Sequence, residues 1–181
     1  NFVEPIASHL RAAAAKTGNA SLKAYLEKRA DALLSDDYYA SDLAWMDLDS
    51  DVEVTLGPYE VYEDALFNYK ASFTAFVTVR DREESARLAV YAKHLPDMQR
   101  GLPIAEKYKE TSRKFESPIR VVQEVYTAGE TRSGVQTAAF NLPNDERVRQ
   151  AKGSKKVLLK NVIEAKYRVA GKPIAERVLV P

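Results

Sequence analysis

The hydrophobic pattern changes from a helical period to a strand period near residue 52, and that change limits the possible folds more than any other feature. Before residue 35 apolar side chains recur at helical spacing, which predicts one helix over 4–16 and a second that begins after Asn19 as its N-cap. From Val52 apolar residues alternate with polar ones, which predicts strands with one buried face. Helices followed by such strands favour an α+β fold over regular βαβ repetition.

Local signals predict the later elements. Asp81 and Glu84 form an Asp-led capping box, which opens a helix that runs to about Lys93. The hydrophobic pattern also predicts a strand over 119–126 and a helix over 104–113. These elements are unequal in length, and they contain no internal repeat.

Two polar stretches raise the question of a binding site. The acidic and aromatic stretch 35–51 has the composition of a metal or ligand surface, but its aspartates lack the spacing and central glycine of a calcium loop. We interpret it as a short helix with a solvated acidic side. Residues 127–136 are polar and contain glycine, which predicts a loop.

Composition excludes several classes of protein. The chain has 181 residues and a formal net charge of +1, so neither nucleic acid nor an anionic membrane is predicted as a partner. Cysteine is absent, which excludes a disulfide framework and a thiolate metal site. No apolar run approaches the ~20 residues of a membrane span. The compartment stays open between cytoplasm and periplasm.

Histidines are too few for the commonest zinc site. The chain has two, His9 and His94. Neither lies in a His-Glu-x-x-His frame, whose spacing places two imidazoles on one face of a helix. We therefore predict that this polypeptide builds no zinc site alone, and we assign neither histidine a role.

Two short motifs carry candidate site residues. Glu60 and Tyr62 stand two apart, just past a Gly-Pro pair, where a carboxylate and a phenol can project into one groove. Asn141 and Asn144 bracket Pro143, which keeps that loop out of a regular ladder. On spacing alone, Glu and Tyr beside a strand are more often surface residues, and such asparagines usually close turns.

Together, segments 53–77, 141–148 and 157–161 resemble the dipeptidyl peptidase III family of zinc peptidases, most closely the branch in which such a domain accompanies a Nudix-type hydrolase. The recurring pattern is Glu-x-Tyr-x-Asp, then an aromatic-rich strand, then Asn-x-Pro-Asn. The match runs from about Asp42 to Pro173 in the expected order. The resemblance implies a small β-barrel-like core wrapped by helices, as in the lower lobe of a two-lobed peptidase.

By resemblance, the first motif acts on the substrate directly. Glu60 is implied to hold the free amino group of the peptide, and the Tyr62 hydroxyl to donate a hydrogen bond to the scissile carbonyl as it becomes an oxyanion. Water activated by zinc is implied to attack that carbonyl. The better-studied peptidases carry acidic residues on both sides of the phenylalanine in the aromatic-rich strand. This chain departs from them, because it has Ser72 and Thr74 at those two positions.

The second motif is implied to bind the peptide backbone. The side-chain amides of Asn141 and Asn144 would bind the main chain of the substrate. The stretch Thr137, Ala138 and Ala139 would form an exposed strand edge to which the peptide adds as an extra strand. Such β-augmentation gives affinity through main-chain hydrogen bonds, without demanding particular side chains.

The resemblance leads to an interpretation of the whole chain. We expect this chain to be part of a longer protein, because it starts at Asn1 rather than Met and lacks the zinc motif. Within the chain, we expect a helical segment over 1–50 and an incomplete peptide-binding lobe over 51–181. The zinc-binding lobe is expected downstream of Pro181, with zinc in the full-length protein and none in this part. The expected partners are a peptide substrate and that missing lobe. Two alternatives remain: a non-catalytic peptide-binding module, or a structural domain fused to a Nudix hydrolase.

Overall fold

The computed structural model describes residues 2–60, 71–109, 118–133 and 136–179, without the side chains of Glu60 and Ser133. Its helices and strands follow one another along the chain as α1 Val3–Lys16, α2 Ala20–Ser35, α3 Tyr39–Met46, β1 Val52–Glu60, β2 Ser72–Arg80, α4 Arg82–Ala92, α5 Leu95–Arg100, β3 Ile119–Gly129, α6 Glu130–Ser133, β4 Ala139–Leu142, α7 Glu146–Lys152, β5 Lys155–Leu159, α8 Lys160–Lys166 and α9 Lys172–Val178. A 3₁₀ turn spans Glu106–Tyr108, and a π turn, Tyr167–Gly171, joins α8 to α9.

The first two helices form as predicted and carry much of the core. Asn19 caps α2, because its side-chain oxygen accepts a hydrogen bond from the Leu22 amide at 2.8 Å. The apolar residues predicted to form one stripe of α2 are all buried: Leu22, Leu26, Ala30 and Leu33. This stripe packs on α1 and, through Trp45 of α3 and Leu48, joins the core of the sheet.

Five strands form one sheet in the order β1-β2-β3-β5-β4. All neighbours are antiparallel except β3 and β5, which are parallel. The rings of Phe76 on β2 and Phe140 on β4 lie 5.0 Å apart, although two strands separate them in the sheet. A flat sheet would hold β2 and β4 about 14 Å apart. The sheet is therefore curled into a half-barrel, which confirms the predicted α+β fold with a barrel-like core.

The strand period is confirmed, but the buried face is not the one that carries the valines. The inner face holds Glu53 and Thr55 of β1 and Thr74, Phe76 and Thr78 of β2, all nearly inaccessible to solvent. By contrast, the alternate positions Val52, Phe73 and Val79 are about two-fifths exposed. Among the polar groups inside, the Thr78 hydroxyl donates to the Glu53 carbonyl oxygen of the neighbouring strand at 3.0 Å.

The region after β2 matches the predictions in part. The Asp81 carboxylate accepts a hydrogen bond from the Glu84 amide at 3.0 Å, so the predicted cap of α4 is confirmed. The helix predicted over 104–113 is wrong where the structure describes it, because only the 3₁₀ turn forms up to residue 109. Instead α5 forms earlier and places Pro96 in its first turn, where no amide hydrogen is needed.

The predicted loop over 127–136 is also corrected. Strand β3 continues to Gly129, and α6 follows directly. Gly129 has a φ of 79°, and a Cβ there would lie 1.9 Å from the Phe73 carbonyl oxygen, so the chain can turn out of β3 only with glycine at this position. No helix among the described residues is long and apolar enough to cross a membrane.

Candidate functional site

A groove of about 670 Å³ lies on the inner side of the half-barrel, between the outermost strand β4 and the facing strands β1 and β2. Its lining combines aromatic rings, amides and main chain: Tyr59, Thr74, Phe76, Glu130, Thr131, Gln136, Thr137, Ala138, Ala139, Phe140, Asn141, Leu142, Asn144 and Lys166. One wall is the whole of β4 with the three residues before it.

This groove brings together five of the residues singled out in the sequence. Thr137 and Ala138 lead into β4, Ala139 and Asn141 lie within it, and Asn144 follows it. Glu60 is the last residue of β1, where its backbone pairs with Ser72. Tyr62 lies outside the described residues.

Strand β4 lies at the end of the strand order, beside β5. In the described part of the chain β4 pairs only with β5, whose Leu159 amide donates to the Ala138 carbonyl oxygen at 2.9 Å. Hydrogen-bonded and non-bonded pairs alternate along an antiparallel ladder, so the main-chain groups of Ala139 and Asn141 point away from β5. Within the predicted edge, the register turns the main chain of Ala139 outward, whereas the Ala138 carbonyl oxygen is already bonded to β5.

The segment that precedes β4 is tied to its neighbours. The Lys166 ammonium donates to the Gln136 carbonyl oxygen, and the Gln136 side-chain amide donates to both carboxylate oxygens of Glu124 at 3.1 Å. Asn161 in turn exchanges two hydrogen bonds of 2.9 Å with the Glu124 backbone. Burial raises the pKa of Glu124, and the Gln136 bond opposes that rise. Residues from β3 and α8 thus fix the start of the groove wall.

Beneath Tyr59 lies a buried cation that the sequence did not reveal. Arg29 of α2 is fully buried, and its Nη2 lies 2.5 Å from Asp42 Oδ1. Its guanidinium carbon lies 5.4 Å, 5.3 Å and 5.7 Å from the ring centres of Tyr25, Tyr38 and Tyr59. We call these five residues the Arg29 cluster. The expected solvated acidic side of α3 is therefore wrong at Asp42, which is 5% exposed.

Charge in the Arg29 cluster is set by burial and by the ion pair. Burial raises the pKa of the Asp42 carboxyl, and Arg29 opposes that rise. Burial likewise raises the pKa of the Tyr59 hydroxyl well above its ordinary value, so this group stays protonated and acts as a donor. It lies 3.5 Å from Asp42 Oδ1. The cluster therefore joins the groove lining, through Tyr59, to α2 and α3.

Comparison with known proteins identifies the family. The sequence model of peptidase family M49 matches residues 1–176. The chain belongs to peptidase family M49. It is also 44% identical over 175 residues to a protein named Nudix hydrolase 3 from Arabidopsis thaliana, covering 97% of this chain and 22% of that protein.

Solved structures agree with this M49 assignment. The chain is 59% identical to dipeptidyl peptidase III from Caldithrix abyssi, with a TM-score of 0.90 over 98% of this chain and 34% of that one. It is 50% identical to dipeptidyl-peptidase III from Corallococcus sp. strain EGB, with a TM-score of 0.86 over 96% of this chain and 32% of that one. The predicted resemblance is confirmed. The chain spans about a third or less of each relative.

Family M49 consists of zinc metallopeptidases. None of the described ranges brings together three or more His, Asp or Glu side chains in a way that could hold a metal ion. His9 lies on α1, and His94 precedes α5. The described residues do not fit the zinc of the family.

Proposed function

We propose that this chain is the substrate-binding lobe of a longer zinc-dependent dipeptidyl peptidase, whose metal lobe lies beyond Pro181. The observation that carries the proposal is the groove beside the free edge of β4, where Thr137, Ala138, Asn141 and Asn144 meet. The task of this chain is to bind and orient the peptide.

The peptide binds as an added strand. Its main chain exchanges hydrogen bonds with Ala139 and Asn141, the two β4 residues whose backbone groups point away from β5. The side-chain amides of Asn141 and Asn144 supply further contacts to the peptide backbone. Because backbone groups carry this recognition, the groove accepts peptides of varied sequence.

The end of β1 supplies the groups that recognise the reacting end of the peptide. Tyr59 lines the groove, and Glu60 and Tyr62 follow it within three positions. Glu60 pairs with the free ammonium group of the peptide, a charge-assisted contact. Tyr62 donates a hydrogen bond to the scissile carbonyl oxygen, whose negative charge grows in the transition state.

The second candidate function is a non-catalytic peptide-binding or structural module associated with a Nudix hydrolase. It is favoured by one observation, the 44% identity to the protein named Nudix hydrolase 3. A zinc motif of the form His-Glu-x-x-His or His-Glu-x-x-Gly-His in the reading frame beyond Pro181 would favour the peptidase. If that motif is missing, peptide titration separates a binding module from a purely structural one.

The peptidase proposal predicts a specific effect of Tyr62→Phe in the full-length protein. The change should lower kcat and kcat/KM together by about 10²-fold, because the lost hydrogen bond strengthens only in the transition state.

Glu60→Gln should instead lower the hydrolysis of peptides with a free amino terminus and hardly affect that of N-acetylated ones, since it weakens the contact to the ammonium group. Steady-state kinetics on both peptide types measures this. Equal effects of Glu60→Gln on the two would remove the assignment of Glu60.

A further inference from the structure

The end of β1 contains a bulge directly before Glu60. Gly57 pairs with Thr74 and Glu60 pairs with Ser72, so β1 advances three residues where β2 advances two. A bulge bends its strand and re-aims the residues that follow it. The two residues available for the extra step are Pro58 and Tyr59.

This bulge rests on the Arg29 cluster. A Cβ added at Gly57 would lie 3.0 Å from Arg29 Nη1 and 3.0 Å from the Tyr59 ring, so the β1 backbone is in close contact with the guanidinium. Tyr59 lies within 5.7 Å of the same guanidinium by its ring centre and 3.5 Å from Asp42 by its hydroxyl. Both sides of the bulge are therefore held by one planar cation.

The hydrogen bonds of this cation are incomplete. Arg29 Nε and Nη1 are buried and have no hydrogen-bond partner in the described part of the chain. Burying such donors is costly, and a well-packed apolar side chain in place of a buried ion pair is often equally stabilising or more so. A guanidinium differs from an apolar side chain in its fixed planar shape, which stacks on aromatic rings and holds them in one orientation.

We propose that Arg29 and Asp42 are positioning residues for substrate recognition: through Tyr59 and the bulge at Gly57 they set the course of the β1 backbone as it reaches Glu60. This inference rests on the proposed function, because it assumes that Glu60 binds the amino terminus of a peptide. Its consequence is that disturbing the Arg29 cluster impairs recognition of the amino terminus, although no member of the cluster other than Tyr59 lines the groove.

The test uses two variants of the full-length protein, one that changes the cation and one that changes the β1 residue in contact with it. Arg29→Lys keeps a cation for Asp42 but loses the planar stack, and Gly57→Ala inserts a methyl group against the guanidinium. The readout is the ratio of kcat/KM for a free peptide to kcat/KM for its N-acetylated form. This ratio is insensitive to the active fraction, so partial misfolding does not change it. Both variants should lower it about tenfold, since small misplacements are costly.

Two further variants separate the possible outcomes. Leu10→Ala removes core packing on α1, and it should lower the melting temperature while leaving the ratio unchanged. Glu60→Gln should lower the ratio by removing the contact itself. If Glu60→Gln lowers the ratio but Arg29→Lys and Gly57→Ala do not, the positioning role is overturned and the proposed function stands. If Glu60→Gln leaves the ratio unchanged, the proposed role of Glu60 fails, and this inference fails with it.

Discussion

At the scale of single residues, the inner face of the sheet is held by charged groups that have no access to solvent. Lys155 of β5 is fully buried, and its ammonium lies 2.8 Å from the Glu53 carboxylate and 2.7 Å from the Trp45 carbonyl oxygen. It also lies 4.2 Å from the centre of the Trp45 ring. Burial lowers the pKa of Lys155, and Glu53 opposes that shift. The pair joins β1, β5 and α3 at one point.

Removing one member of this pair should destabilise the chain strongly. We expect Lys155→Met to lower the free energy of unfolding by about 3–5 kcal/mol, because it leaves the Glu53 carboxylate buried without a partner. The double variant Glu53→Leu with Lys155→Met should recover most of that loss. Urea unfolding of the unmodified chain and of the two variants measures both effects. A double variant no more stable than Lys155→Met would show that charge compensation is not what the pair provides.

These buried charges mark a limit of what the sequence predicts. Asp42 was expected in solvent, and nothing singled out Arg29 or Lys155, because charged residues are almost always exposed unless they are paired. Their partners are distant in sequence: Arg29 and Asp42 are 13 positions apart, and Lys155 and Glu53 are 102 apart. Only the folded arrangement brings such pairs together.

At the scale of elements, capping signals predicted the helix starts well, whereas the buried face of the strands was not predicted. The caps at Asn19 and Asp81 formed as expected, because a cap depends on residues within one helical turn. The inner face of β1 and β2 was not predictable, since it is set by the curl that brings Phe140 onto Phe76. Alternation gives the period of a strand and leaves open which of its faces is covered.

Asn19 offers a direct test of capping energetics. Asn19→Ala should lower the free energy of unfolding by about 1 kcal/mol, because the Leu22 amide loses its acceptor. Asn19→Asp keeps that acceptor but loses the side-chain amide that donates to the Asp49 carbonyl oxygen at 2.9 Å. It should therefore retain most of the stability. If both variants unfold alike in urea, the cap contributes less to stability than the hydrogen bond from the Asn19 side chain to the Asp49 carbonyl oxygen.

At the scale of the whole molecule, the resemblance to dipeptidyl peptidase III selected more of the residues that line the groove than spacing alone. It selected Thr137, Asn141 and Asn144, which lie together along one groove. It missed Lys166 and Gln136, because no pattern in the sequence connects α8 to the segment before β4. Tyr59 had one available signal, its position directly before Glu60.

The chain alone should bind no stoichiometric zinc and should not hydrolyse dipeptidyl substrates. The reason is that its two histidines lie outside any zinc-binding frame and the described residues gather no metal cluster. Metal analysis after dialysis, together with an activity assay, tests this. One tightly held zinc per chain, or turnover by the chain alone, would contradict the division of labour between the two lobes.

The central claim, that the free edge of β4 receives a peptide strand, is tested most directly by peptides methylated at single backbone amides. Because only Ala139 and Asn141 of β4 turn their main chain outward, a bound strand must exchange its hydrogen bonds at alternate residues. Calorimetric titration of the 181-residue chain measures its affinity for each methylated peptide. Methylation at one set of alternate peptide positions should lower that affinity about tenfold, and methylation at the other set should change it little. Equal losses at consecutive positions, or no binding of the parent peptide, would contradict the claim.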